Sequence, residues 1–410
     1  MRPSLNHFAA ILTLLLALTS QPAYAFYDWQ GENGSLELRG MLQGSLLTLN
    51  NPNAPFYYSK QNITGASASG RLMVDATTGE SLSFEMHLEQ SYLPTDLQTG
   101  GSRLTTVRDV ERSAYLDWSF DKRQAHLRID RLNTQYQSGK LSLKIGRQPV
   151  SLASTFYFTP NDFFAPFAAQ TFFRSYKSGV DAARADLQLG ELSQLSLISV
   201  LGYASTPASD NGWCDTHEPS RNSHLIHASS VFGDFELALL GGWVKRDRVL
   251  GLDFQGEMFE WLGVRGEGHV RWSDGAGQRR TTEFSLGLEH RWESSLTLRF
   301  EQYYHGAGAT TTAGYNLATL NSSLYLARHY SAAGASYEFT PLLTGDMTSI
   351  YNWVDHSGLV ALYALYSLSD ESELAFSAST SFGKSTPGVA IQREFGLYGD
   401  SLSMEYRLYF

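Results

Sequence analysis

The strongest constraint on the fold is an alternating pattern that recurs along the chain in units of about ten residues. In the stretch 36–46, every second residue is leucine or glycine, and the residues between them are mostly polar. The stretches 66–75 and 82–89 repeat this pattern. Because successive side chains of a strand point to opposite faces, each unit predicts a strand with one apolar and one polar face.

The same unit continues to the end of the chain. It recurs at 264–272, 283–292 and 296–304, and the last stretch, 402–410, ends on Phe410. Between 121 and 148 the pattern is ambiguous, and 124–136 fits either a strand or part of a loop. Counting the strand-like stretches gives about 18 strands, within a range of 16–20, and an even number is favoured in a closed bacterial barrel.

The connections between these strands separate a barrel from a sandwich. Tight links occur at 77–80, 121–124, 190–193, 233–234 and 293–294, whereas long polar links occur at 50–63, 94–109, 204–222 and 306–323. Short connections on one rim and long ones on the other are typical of outer-membrane barrels, and a soluble sandwich is the alternative. We therefore predict an all-β fold, a transmembrane antiparallel up-and-down β-barrel.

The N-terminus has the pattern of a secretory signal peptide. Arg2 precedes a short apolar run at 8–18, and small residues follow at 23–25. The run is about 11 residues long, too short for a membrane-spanning helix. We predict cleavage after Ala25, which divides the chain into a signal peptide, 1–25, and a barrel, 26–410. These features together predict export to the outer membrane of a Gram-negative bacterium.

Composition excludes several classes of function. The net charge of −10 argues against a nucleic-acid partner. The chain has one cysteine and no Cys-x-x-Cys-His motif, so no covalently attached haem is expected. His217, His224 and His227 lie near one loop and could bind a metal, but we interpret them as ordinary polar residues and predict no cofactor or metal. No Gly-x-Ser-x-Gly or His-Glu-x-x-His motif is present, and we predict that the protein is not an enzyme. An enzyme with its site on the rim is the alternative.

One stretch, 149–178, interrupts the strand pattern. It begins at Pro149, carries two further prolines and many aromatic residues, and ends where alternation returns near Gly179. A segment of this composition needs a wall to pack against, so we predict an insertion that narrows the barrel lumen; a loop over the barrel mouth is the alternative. The candidate constriction residues are Phe158, Asp162, Phe163, Phe164, Arg174 and Lys177.

The polar faces of the strands supply the candidate pore-lining residues. They are Glu37, Arg39, Arg71, Glu85, His87, Arg265, Glu267, His269, Arg271, Arg299 and Glu301. Charges of both signs suit a hydrated passage that orients polar solutes. The alternative for any one of them is an ion pair that only stiffens the wall.

Two further patterns concern the membrane. Aromatic residues near strand ends predict two interfacial girdles; they are Tyr92, Trp118, Tyr203, Trp243, Trp261, Trp272, Trp292 and Tyr304. The terminal strand resembles the assembly signal of Gram-negative outer-membrane barrels, whose last residue is commonly Phe. This resemblance implies recognition of the Phe410 strand by the barrel-assembly machinery, and contact with outer-membrane lipid and lipopolysaccharide.

Three short stretches resemble a segment of porin-like barrels from Gram-negative bacteria. They are 144–148 (KIGRQ), 159–167 (TPNDFFAPF) and 176–182 (YKSGVDA). A second, weaker element lies at 250–254 with 263–268. The chain is similar in this respect to alginate-export porins and to the barrel subunits of porin-cytochrome electron conduits. The resemblance implies a porin fold with a loop after the Gly-Arg-Gln strand.

These observations predict a porin-like channel for passive diffusion of small hydrophilic solutes or ions. Two alternatives stay open: a barrel that sheathes multihaem cytochromes in an electron conduit, and an exopolysaccharide-export porin. Glutamate balances arginine at the lumen positions, which disfavours export of a polyanion. The resemblance to porins also leaves a homo-oligomer open. The transported solute does not follow from the sequence.

Overall fold

The computed structural model describes residues 27–94, 96–97, 118–120, 125–204, 216–273, 279–316, 323–383 and 390–410. For 118–120 only the backbone path is described. The predicted signal peptide, 1–25, lies outside these residues, as does the tight link at 121–124. Within the described residues, no helix is long and apolar enough to cross a membrane.

The regular secondary structure of the described chain is almost entirely β-strand. Three short 3-10 turns occur, at Pro219–Arg221, Thr312–Gly314 and Phe395–Leu397. The strands are β1 Tyr27–Gly31, β2 Gly34–Asn50, β3 Asn62–Thr78, β4 Leu82–Tyr92, β5 Trp118–Phe120, β6 Ala125–Ser138, β7 Leu141–Gln148, β8 Val180–Gly190, β9 Ser193–Val200, β10 Ser223–Phe232, β11 Phe235–Val244, β12 Asp247–Met258, β13 Leu262–Trp272, β14 Arg280–Arg291, β15 Thr297–His305, β16 His329–Thr340, β17 Leu343–Asn352, β18 Gly358–Ser369, β19 Ser372–Phe382 and β20 Asp400–Tyr409.

Eighteen of these strands close into an antiparallel barrel, so the predicted fold class and strand number are confirmed. Closure joins β2 to β20, with Met41 opposite Tyr409 and Asn50 opposite Asp400. Beyond β20, Phe410 continues the ladder through two backbone hydrogen bonds to Gly40. Closure satisfies the backbone groups that an open sheet would leave unpaired against lipid.

The two remaining strands are short additions to the ladder. β1 pairs with the start of β2, following on from the end of β20. β5 pairs with the first residues of β6. The sequence left the strand state of 124–136 open, and the structure assigns its described residues, 125–136, to β6, which pairs with β4 on one side and β7 on the other.

Alternation along the strands separates two faces of the barrel wall. Large apolar side chains are exposed on the outer face, among them Ile145 and Leu239, each 65% exposed. The neighbouring positions point inward, where charged side chains pair with one another. A β-bulge between β4 and β6 shifts the register after His87, so Asp130 and Arg131, although adjacent, both contact inward-facing residues.

The rims differ as predicted. Two-residue links join β10 to β11, β16 to β17 and β18 to β19, whereas the opposite rim carries links such as 306–328 and 383–399. One connection on the long rim, 245–246, is also tight. Trp243, Trp261, Trp272 and Trp292 are exposed, as the girdle prediction requires. Tyr203 is different: it is buried, and its hydroxyl donates to Asp181.

Candidate functional site

The segment 149–178 connects β7 to β8 and packs against the inner face of the wall. Its side chains or backbone contact residues of β3, β13, β15, β18 and β20, strands that lie on widely separated parts of the barrel. Of its 30 residues only Ser151, Pro166 and Ser175 are exposed. A small number of specific contacts holds each part of the segment against the wall.

Glu301 of β15 binds the backbone of the segment. Its carboxylate accepts hydrogen bonds from three consecutive N–H groups: that of Phe156, that of Tyr157 at 2.8 Å and that of Phe158 at 3.0 Å. Glu301 is 0% exposed. A buried carboxylate requires such partners, because burial without them costs several kcal/mol, and three N–H donors satisfy it.

Glu267 of β13 performs the same task two strands away. It accepts from the backbone N–H groups of Ser154 at 2.5 Å, Thr155 at 3.0 Å and Asn161 at 2.9 Å. Asn161 also donates its side-chain amide to the carbonyl of Leu252 and shares a hydrogen bond with His269. The two carboxylates thus hold the first half of the segment through its main chain.

Two arginines lie over the ring of Phe156, between the carboxylates of Glu267 and Glu301. The guanidinium of Arg265 lies 3.6 Å from the centre of the Phe156 ring, and that of Arg299 lies 4.6 Å from it. Arg265 also donates to the carbonyl of Ser154 at 2.9 Å. Cations over an aromatic face are stabilising, and the charge of Arg265 also attracts the Glu301 carboxylate.

Aromatic packing completes the contact with β15 and β16. Phe158 stacks on Tyr303 with ring centres 4.9 Å apart and an interplanar angle of 9°. Tyr157 points at Gly334 of β16, where an added Cβ would lie 1.6 Å from its hydroxyl oxygen. Glycine is therefore required at 334 for the segment to approach the wall this closely.

The remaining predicted constriction residues are distributed around the segment. Phe164 lies in a buried cluster with Val150 and Leu152, and Phe163 meets His269 edge-on, with ring centres 5.0 Å apart. Asp162 and Lys177 are both buried and form an ion pair with each other. Burial raises the pKa of Asp162 and lowers the pKa of Lys177, and their mutual attraction opposes both shifts.

Arg174 links separate parts of the segment through hydrogen bonds to backbone carbonyl groups. It donates to the carbonyls of Thr171 at 2.7 Å, Phe156 at 2.5 Å and Ala169 at 3.1 Å. Burial lowers the pKa of its guanidinium. The sequence suggested that Asp162, Arg174 and Lys177 point at the passage; in the structure their polar atoms bind partners within the segment.

The last part of the segment follows the opposite wall. Phe172 stacks on Tyr363 of β18, with ring centres 5.1 Å apart and an interplanar angle of 12°. Arg407 lies 3.9 Å from the centre of the Phe173 ring, and Arg71 lies 4.5 Å from that of Tyr176. The segment therefore follows the wall around the lumen instead of crossing it once.

The predicted pore-lining residues lie on the inner face and fall into two groups. Glu267, Glu301, Arg265, Arg299, His269 and Arg271 contact the segment. Glu37, Arg39, Arg71, Glu85 and His87 form ion pairs on β2, β3, β4 and their neighbours. That these residues line a passage stays a prediction. Glu267 and Glu301 do not face open space, because the segment 149–178 covers them.

One group of inward residues among those described has metal-ligand proximity. The ligand atoms of Asp75, Glu85 and His87 lie within 4.8 Å of one another. Both carboxylates already have cationic partners, with Arg39 2.5 Å from Asp75 and Lys144 3.2 Å from Glu85. This group is a lumen ion-pair cluster whose charge is balanced by protein side chains.

Sequence reasoning missed a second organising cluster in the long loops. Glu394, which is 3% exposed, accepts from the backbone of Leu326 at 2.9 Å, from Asn352 at 2.8 Å and from the hydroxyl of Tyr330. Its own backbone N–H donates to Asp355 at 2.7 Å. Burial raises the pKa of Glu394 to about 7. Through its carboxylate and its backbone N–H, Glu394 thus joins the links 306–328, 353–357 and 383–399.

Comparison with known proteins identifies similar folds but no similar sequences. No family model matches the sequence, and no curated protein matches it. The barrel of OccAB4 from Acinetobacter baumannii superimposes with a TM-score of 0.59 at 9% identity, covering 93% of this chain and 98% of that one. OccAB1 from the same organism gives 0.58 at 9% identity, with 92% and 96% covered.

A third structure carries a ligand. OccK2 (OpdF) of Pseudomonas aeruginosa, solved in complex with glucuronate, gives a TM-score of 0.55 at 13% identity and covers 92% of this chain and 96% of that one. At these identities the likeness establishes fold alone. The chain has the closed 18-strand barrel fold of Gram-negative outer-membrane porins.

Proposed function

We propose that the protein is an outer-membrane channel for passive diffusion of small hydrophilic solutes, narrowed by the segment 149–178. The observation that carries this proposal is the pair of buried carboxylates, Glu267 and Glu301, that bind the main chain of the segment inside a closed barrel. A wall built to hold a segment in its lumen suits a barrel that selects by width.

The mechanism is passive. Outward apolar side chains match the hydrocarbon of the bilayer, and inward polar side chains hydrate the lumen. The segment reduces the open cross-section, and the ion pairs of the wall set the field that a solute meets. No step of chemistry is needed.

The contacts of the segment favour a channel over the two alternatives. A sheath for multihaem cytochromes needs a lumen wide enough for a protein, whereas 149–178 occupies the inner wall from β13 to β3. A polyanion exporter needs unpaired basic groups, whereas Arg71 and Arg147 are bound to carboxylates. Contact with lipopolysaccharide, recognition of the Phe410 strand by the assembly machinery and homo-oligomer formation stay predictions.

Single-channel recording tests the proposal. The refolded chain in a planar bilayer should show discrete conductance in KCl, and removal of Ser154 to Ala168 should raise that conductance because the anchored half of the segment is lost. A glycine-serine replacement of equal length is the control for chain length. A barrel that inserts but stays electrically silent with and without the segment would overturn the channel and favour the sheath.

Charge reversal on the wall tests whether inward charges face the passage. Arg271 lies 3.6 Å from Asp247 and 5.7 Å from the centre of the Phe163 ring. Arg271→Glu should shift the reversal potential in a KCl gradient toward cation selectivity, because two carboxylates then face each other. Glu293→Lys, in the turn between β14 and β15, is the control. An unchanged reversal potential in a normally inserted variant would remove Arg271 from the path.

A further inference from the structure

Four outward side chains on β11 to β14 form a continuous row beside the long rim of the barrel. The register pairs are Trp243 with Arg248, Arg248 with Trp272, and Trp272 with Arg280. Direct register partners on one face of a sheet are neighbours, so tryptophan and arginine alternate along this part of the rim. All four side chains are exposed. We call these four residues the Trp-Arg row.

The two arginines of the row have no protein partner. Within the described residues, no hydrogen bond or ion pair involves the guanidinium group of Arg248 or Arg280. Inward arginines differ, since Arg71 and Arg407 bind carboxylates. The outward positions of β10 to β14, strands that are described in full, carry no aspartate or glutamate. A cation on the lipid face is tolerated near the membrane surface, where an anionic headgroup can neutralise it.

The opposite rim of the same strands has a different composition. Its outward positions carry no arginine or lysine and hold Met258, Leu262, Leu288 and His290. In outer-membrane barrels the long connections face the outside and the short turns face the periplasm. The Trp-Arg row therefore lies at the headgroup level of the outer leaflet. In Gram-negative bacteria this leaflet consists of lipopolysaccharide, whose lipid A headgroup carries a phosphate at each end of a disaccharide.

The spacing of the two arginines suits a headgroup with two phosphates. Arg248 lies on β12 and Arg280 on β14, with Trp272 of β13 between them. Neighbouring strands are about 4.8 Å apart, so the two arginine backbones are about 10 Å apart. Each guanidinium can bind one phosphate through two parallel N–H donors. A lipid with a single phosphate would neutralise only one of them.

An apolar groove of about 420 Å³ lies beside the row on the outer face of β7 to β11. Its exposed apolar lining includes Ile145, Ala183, Leu197 and Ile226. Trp243 also lines the groove, which is therefore continuous with the row. The polar residues at the groove have partners: Ser199 and His224 share a hydrogen bond of 3.0 Å, and the guanidinium of Arg184 binds Asp186. An apolar groove of this kind suits a hydrocarbon chain.

We infer that the outer face of β7 to β14 is a binding site for one lipopolysaccharide molecule. The phosphates of its lipid A bind Arg248 and Arg280, the sugar headgroup lies against Trp272, and one acyl chain occupies the groove beside Trp243. The site lies on the lipid-facing side of the wall. It is therefore independent of what passes through the lumen, and goes beyond the proposed channel function.

Comparison of three lipids tests the inference on the unmodified protein. The folded barrel in detergent, without divalent cations, is titrated by native mass spectrometry with lipid A, with monophosphoryl lipid A of the same acyl chains, and with phosphatidylglycerol. We expect lipid A to bind roughly tenfold more tightly than the monophosphoryl form, because one arginine loses its charged hydrogen bonds in the latter. Equal affinities, or tighter binding of phosphatidylglycerol, would overturn the assignment to lipopolysaccharide.

Three variants locate the site. The double variant Arg248→Ala/Arg280→Ala should lose the preference for lipid A over the monophosphoryl form, whereas Arg291→Ala, an exposed residue at the other end of β14, should keep it. Ala183→Phe fills the groove without a change of charge and should weaken lipid A binding several-fold.

Heat-modifiable gel mobility and KCl conductance, which should be unchanged, show that each variant is folded. A folded double variant that binds all three lipids as the parent does would overturn the headgroup site. Unchanged lipid A affinity in Ala183→Phe would overturn the groove as the site of the acyl chain.

Discussion

Alanine at both Glu267 and Glu301 is expected to raise the single-channel conductance several-fold. Each carboxylate satisfies three backbone N–H groups of the segment, and Glu301 does so with no solvent contact. A buried donor left without an acceptor costs about 1–3 kcal/mol, and six backbone donors of the segment lose their acceptor in the double variant. The segment should detach from β13 and β15 and widen the passage.

The matched control for this experiment is Glu236→Ala. Glu236 lies on the inner face of β11 and accepts a hydrogen bond from Gln255 at 2.8 Å, with the same loss of one carboxylate from the lumen. It should leave conductance near that of the unmodified barrel. Proteolysis provides a second readout, since a detached segment is cut between 154 and 168. If the double variant inserts, conducts as the parent does and resists protease, the carboxylates do not anchor the segment.

The loop cluster around Glu394 should become less stable as the pH rises from about 4.5 to about 7. In the unfolded chain this carboxyl has the ordinary pKa of 4.5, whereas burial raises it to about 7 in the folded loops. Between these values the folded state holds a proton that the unfolded state has lost, so raising the pH favours unfolding. A shift of this size corresponds to about 3 kcal/mol.

Hydrogen exchange of the loop amides measures this effect without unfolding the barrel. Protection of 323–328 and 390–397 should fall between pH 5 and pH 8, after correction for the intrinsic exchange rate. Glu394→Gln is the matched variant, because an amide of the same shape does not titrate, and its protection should be independent of pH. Protection that falls equally in both proteins would assign the pH dependence to another group.

The sequence predicted the barrel because the alternating pattern of each strand is contained within that strand. Alternation at 264–272 is visible without knowledge of the partner strand, and it fixes which side chains point inward. The strand state of 124–136 was not visible, because the bulge at Asp130 places two adjacent residues on the inner face and breaks the period. Tyr203 was misassigned to a girdle because an aromatic residue after a strand has the same local pattern whether it meets lipid or Asp181.

The site was harder to predict because its contacts are remote in sequence. Glu301 has the pattern of a lumen charge on an alternating strand, and nothing local shows that backbone groups more than 140 residues earlier would cover it. Asp162 and Lys177 were predicted as constriction residues individually, but their pairing depends on how the segment turns between them. Gly334 carried a detectable signal, a missing side chain on an inward position, but its partner Tyr157 did not.

Because the segment is held through its main chain, its sequence can change during evolution without loss of the attachment. Glu267 and Glu301 recognise N–H groups, which every residue except proline supplies, so substitutions between 154 and 158 need not disturb the attachment. The barrel residues that hold the segment can stay constant, while the side chains of the segment vary. New solute preferences can then arise by mutation of a few residues, while the part of the protein that inserts into the membrane stays the same.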